Sequence, residues 1–211
     1  MLAIDHAILT VPDPASTADA LAERAGLRAQ PGGRHRGHGT ANWIVPLGDS
    51  YLELMTVVDR REAESSPMGR WVLERSRYGD RLAALCLRTD AIDEIAARIG
   101  DAAQEMSRER VDGKVLRWRL AGLATALSDA PLPFFIQWDI ADQDHPGRMP
   151  AEHAAAASIA WIEFGGDPTR LADWLGDHSL PIRAVGGPPG LRRLAVTTGN
   201  GQVLVTASGI V

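Results

Sequence analysis

A strand pattern, a helix pattern and further strand patterns follow one another along this chain, and the succession then recurs. Ala3 to Val11 alternates with the two-residue period of a strand, and Asp13-Pro14-Ala15-Ser16-Thr17 opens a helix that Gly26 stops. Asn42 to Leu47 and Ser50 to Val57 alternate again around a Gly48-Asp49 turn, and a further strand fits inside the glycine-rich stretch before them. The order returns with a strand at Arg81 to Arg88, a helix from Asp90 to Ile99 ended by Gly100, and strands at Lys114 to Leu120 and Leu132 to Ile140. It returns once more: Ser158 to Phe164, a helix from Pro168 to Leu175, then Pro181 to Val185, Leu191 to Thr197 and Gln202 to Ala207. An open sheet of this size cannot bury its apolar face alone, so such copies must cover or enclose one another. The prediction is an α+β fold of repeated βαβββ units forming curved mixed sheets with helices on the outer face. The units are placed at 1–58, 81–141 and 157–211, with a connector at 59–80 and a linker at 142–156, in one compact structural domain.

Strand alternation also sorts the polar residues. In the first strand His6 shares a face with Ile4 and Ile8; later, Glu53 shares one with Tyr51 and Met55, and Gln137 with Phe135 and Asp139. A carboxylate between Leu52 and Leu54 needs a cation, a metal or hydrogen-bond donors, because burying it unpaired is costly. His6 and Glu53 are the first pair to test. Thr40 and Asn42, just after the glycine-rich loop, can orient a polar ligand. Arg110 can meet an anionic group or pair with Asp112 across a hairpin, and Trp118, like Trp138, is either core or the wall of a cavity. For Gln137 the alternative is a sheet amide bonded to a neighbour; His35 and His38 either close over a pocket or stand exposed in their loop, and His145 either supplies a further ligand or stands exposed beside Pro146.

Ile4-Asp5-His6, Gly33-Arg34-His35, Gly39-Thr40-Ala41-Asn42, Tyr51-Leu52-Glu53-Leu54 and the two segments at 110–120 and 132–138 together resemble the glyoxalase-like branch of the vicinal oxygen chelate superfamily. The resemblance covers most of the chain to about residue 146. It implies a curved sheet bearing a divalent metal (zinc, manganese, nickel or iron), with His6, Glu53 and Gln137 at ligand positions and Glu53 also as proton acceptor. The middle unit offers Ala83 or Ala84 where a second histidine would stand, and Gln137 where a second glutamate would. The implied function is metal-dependent lyase or isomerase chemistry on a small carbonyl or diol compound. The alternatives are a metal-free protein that sequesters a small molecule, and a scaffold with a vestigial pocket.

Composition excludes other classes. The net charge of −5 and the absence of a basic cluster argue against nucleic acid, and no apolar run is long enough to span a bilayer. The lone Cys86 and the lack of a cationic, apolar start predict a reducing, cytoplasmic setting. Lys114 is the sole lysine among many arginines, the mark of a GC-rich, bacterial-like composition. Gly186-Gly187-Pro188-Pro189-Gly190 lacks the lysine of a phosphate loop, so no nucleotide cofactor is expected. A small molecule, and a second copy of the chain, remain as partners.

Overall fold

The computed structural model describes every residue except 111, 151–152, 154–155, 200, 207–208 and 211, so the ends of the last expected strand (Ala207) and of the last expected unit (Val211) lie outside the described residues. The chain runs β1 (Ala3–Thr10), α1 (Pro14–Ala25), β2 (Gln30–His35), β3 (Thr40–Pro46), β4 (Tyr51–Val57), α2 (Arg60–Glu64) and α3 (Pro67–Arg75). It continues through β5 (Arg81–Arg88), α4 (Ile92–Ile99), β6 (Gln104–Glu109), β7 (Val115–Ala121), α5 (Leu123–Ala126) and β8 (Phe134–Trp138). The last part holds β9 (Ser158–Gly165), α6 (Pro168–Leu175), β10 (Ile182–Val185), β11 (Gly190–Thr198), β12 (Gly201–Thr206) and β13 (Gly209–Ile210).

Local chemistry sets the ends of α1 as expected. The Asp13 side chain accepts hydrogen bonds from the N–H groups of Ala15 and Ser16 at the start of α1, and Gly26, at φ 65°, ends it. Asp167 caps α6 in the same way.

The first two β-α-β-β-β runs build one eight-stranded sheet in the order β2-β3-β4-β1-β5-β8-β7-β6. In each run the last strand lies parallel to the first, β4 to β1 and β8 to β5, while β1 and β5 meet antiparallel. His6 pairs with Cys86 and Ile8 with Ala84, which places a local twofold axis between the two strands. The outermost strands come together again where Gly33 of β2 bridges to Arg110 just after β6, so the sheet curls almost into a barrel. Glycine is required there. A Cβ on Gly33 would lie 2.9 Å from the Glu109 carbonyl oxygen, and one on Gly32 would run into the Asn42 side chain.

Alternation gives the sheet two apolar faces. Ala7, Leu9, Leu52, Leu54, Leu85 and Leu87 pack outward beneath α1 and α4, whereas Ile8, Met55, Ala84, Cys86, Phe134 and Ile136 face the hollow. The third run keeps the element order of the others but not their strand order: its sheet is β10-β9-β11-β12-β13, with β9 between β10 and β11. β11 and β12 lie against the outer side of β5, so this sheet acts as a third cover beside the two helices.

Candidate functional site

The hollow of the eight-stranded sheet holds a cavity of about 80 Å³ that opens to solvent at its mouth. Most of its wall is apolar or aromatic. Trp71 and Met68 of α3 and Leu123 of α5 close over strands that present Met106, Trp118, Phe134 and Trp138. The polar residues His6, His35, Asn42, Tyr51, Glu53 and Arg108 share the same cavity.

Glu53 is only 5% exposed, and its compensation is visible. Asn42 Nδ2 donates to Oε1 at 2.5 Å, His6 Nε2 stands 3.5 Å from Oε2, and His35 Nε2 stands 3.7 Å from Oε1. The pair named from sequence thus meets. Asn42 passes the polarity on, its Oδ1 accepting from Arg108 Nη1 at 2.6 Å.

Behind His6 lies Asp5, wholly buried, with Oδ1 2.6 Å from His6 Nδ1. Its Oδ2 accepts from Trp138 Nε1 at 2.9 Å and meets His145 Nε2 at 3.0 Å. The Gly147 N–H donates to His145 Nδ1, so the His145 proton is on Nε2 and points at Asp5. Burial alone would raise the Asp5 carboxyl, but hydrogen bonds from His145 and His6 outweigh it and hold the group well below the usual carboxylate range. An ionised Asp5 keeps a proton on His6 Nδ1. Nε2 is thereby turned toward Glu53 and the cavity.

Other titrations fit these surroundings. Burial lowers His35 to about 4, against the attraction of Glu53, so the ring is neutral near pH 7. Burial, with Asp5 and Glu53 nearby, pushes both the Tyr51 phenol and the Cys86 thiol well up, leaving each protonated. Tyr51 stacks on His6 with ring centroids 4.5 Å apart.

The remaining sequence candidates divide. Asn42 and Trp118 line the cavity, while Thr40 is buried behind it with its hydroxyl 3.0 Å from His35 Nδ1. Gln137 is not brought to His6 and Glu53. Its Oε1 accepts from the Ile92 N–H and from Arg119 Nη2, on the α4 side of β8, because Phe134, Ile136 and Trp138 take the inner face. Arg110 pairs with Asp112 at 3.0 Å in the turn after β6 rather than reaching the cavity. His145 is buried and His35 is partly buried, its side chain 12% exposed, and His38 bonds the Ser66 hydroxyl at the start of α3. Sequence reasoning passed over Arg108 altogether; its only signal was a place two residues from Met106, on the same face of an otherwise polar strand.

A family model described as a glyoxalase-like domain matches residues 4–179. The chain belongs to this glyoxalase-like family. Its fold is similar to that of a hypothetical protein from Staphylococcus aureus, at 14% identity and TM-score 0.74, over all of this chain and 98% of that one. Weaker likenesses include methylmalonyl-CoA epimerase from Streptomyces coelicolor (17% identity, TM-score 0.45, 64% of this chain and 93% of that one). Another is a hypothetical protein from Bacillus halodurans C-125 (14%, TM-score 0.46, 67% and 96%). No curated protein matches the chain.

The donor set of this glyoxalase-like site does not fit the four-cornered metal centre that such a fold implies. The twofold axis between β1 and β5 carries His6 onto Ala84, and carries Glu53, the partner of Ile8, onto Phe134, the partner of Cys86. Neither replacement offers a donor. Asp5, His6 and Cys86 do bring donor atoms within 4.8 Å of one another. Both Asp5 oxygens are already engaged by ring nitrogens, however. Among the described residues no helix is long and apolar enough to cross a membrane.

Proposed function

We propose that the protein takes one small, largely apolar molecule into the sheet cavity and catalyses proton transfer at its polar, carbonyl-bearing end, as an isomerase- or lyase-type enzyme that needs no metal. The observation that carries this reading is the approach of Glu53 Oε2 to His6 Nε2, 3.5 Å apart in a cavity that is otherwise mostly apolar. Glu53 would take a proton from the carbon next to the carbonyl, leaving an enolate, and His6 Nε2 would carry that proton on to the enolate oxygen, with Asp5 holding the ring in register. Asn42 keeps the carboxylate aimed, Tyr51 and the aromatic wall orient the substrate, and α3 and α5 limit water.

Hydrogen-deuterium exchange into a panel of small ketones and 2-oxo acids, incubated with the protein in heavy water, tests this reading. Exchange beside the carbonyl should fall about 100-fold or more in Glu53→Gln, in line with loss of a general base. Exhaustive chelation should change neither exchange nor thermal stability; loss of either on chelation would restore the metal reading. A second reading, sequestration without chemistry, is favoured by the Asn42–Glu53 hydrogen bond, which engages one carboxylate oxygen before any ligand arrives. Tight binding with no exchange, unaltered in Glu53→Gln, would establish it.

A further inference from the structure

Arg108 is a charged residue of the cavity that the proposed proton transfer does not use. It is 6% exposed, projects from β6 beside Met106 into the hollow, and donates from Nη1 to the neutral amide oxygen of Asn42. Among the described residues no carboxylate oxygen lies within ion-pair distance of it. A guanidinium has five N–H donors, and taking its charge out of water costs several kcal/mol unless an anion answers it. Glu53 does not fill that role directly, since Asn42 lies between them and the carboxylate also faces His6 and His35.

From this geometry we infer that the occupant is a carboxylic acid: its carboxylate takes the free donors of Arg108, and its apolar or aromatic body lies against Trp71, Trp118 and Phe134. The planar fork of arginine matches a carboxylate bidentately. A phosphate dianion fits less well, because the Glu53 carboxylate shares the same polar wall and would repel the second charge. The apolar lining excludes a small hydrophilic acid as the preferred occupant, since nothing in that wall would replace its water. This inference rests on the cavity being the binding site, as proposed above.

Calorimetric titration of the full chain with 3-phenylpropanoate, its amide and 3-phenylpropylamine separates the two ideas. The carboxylate should bind about tenfold or more tightly than the amide, as a charge-assisted contact requires, and the amine should bind least. In Arg108→Met the preference should vanish while the amide stays within about threefold of its wild-type affinity, a control that the pocket still forms. Arg108→Lys, which keeps the charge but not the fork, should retain part of the preference and covers the case in which the methionine variant does not fold. Equal binding of carboxylate and amide to the wild-type protein would overturn the carboxylate inference and leave the cavity reading standing. No binding of any of the three would overturn both.

Discussion

At the scale of single residues the site is a set of buried polar groups that answer one another, and its pH response follows from them. Burial holds His35 neutral in the folded protein down to about pH 4, whereas in the unfolded chain it takes a proton near its ordinary value of about 6.5. Above that pH the ring is neutral in both states and contributes no slope. Between about 6.5 and 4 only the unfolded state binds the proton, so stability drains away as pH falls, by on the order of 3 kcal/mol in full. Asp5 loses stability in the same direction, but only below about pH 4, because its carboxyl is depressed in the fold. Urea melts from pH 7.5 to 4.5 should therefore show a falling midpoint, and His35→Gln, which cannot titrate, should flatten that fall; an identical slope in the variant would rule out His35 as its source. His6 and Glu53 were legible from sequence because strand period placed both on faces with recognisable apolar neighbours. The burial of His35 and His145 was not, since each depends on a partner distant in the chain, Glu53 for one and Asp5 for the other.

At the scale of elements, the seam between β2 and β6 holds Arg108 in place. Gly32 lets the two strands close, and a methyl there would press on the Asn42 amide, on Arg108 Nη1 and on Ile44 Cγ1, the last two at 2.9 Å. Gly32→Ala should cost about 2 kcal/mol, the usual range for overpacking a tight site, and should weaken carboxylate binding as well. A denaturant midpoint equal to that of the wild type would show that the seam yields without strain. Phase explains the misplacement of Gln137. In β8 both faces are apolar, with Phe135 buried outward and Phe134 and Ile136 buried inward, so alternation could not say which row met the hollow. β6 escaped notice because Gln104 to Glu109 contains one apolar residue, Met106, and its inward row is completed by a charged one. Helix α1, by contrast, announced itself through Asp13 at its start and Gly26 at its end.

At the scale of the whole molecule, the C-terminal sheet is a cover rather than a third stave of the barrel. β11 lies on β5, and Leu82, Leu85 and Leu87 share an outer core with Ile162, Leu194 and Val196. A chain ended at residue 156 should therefore expose that leucine row, bind a hydrophobic dye and aggregate in gel filtration. A monodisperse, cooperatively melting fragment would mean that the first two runs are self-sufficient. The repeat itself was readable because each run carries its own start and stop signals; the altered strand order of the last run was not, since pairing among strands is decided by packing between runs. The connections around Asp5 add a consequence for biosynthesis. Two of its partners, Trp138 and His145, lie 133 and 140 residues downstream, so a growing chain that has already made β1 carries an aspartate with only His6 beside it while the partners of its other oxygen have yet to leave the ribosome. The buried polar network around Asp5 is thus completed late in translation, after both halves of the barrel and the start of the linker have emerged.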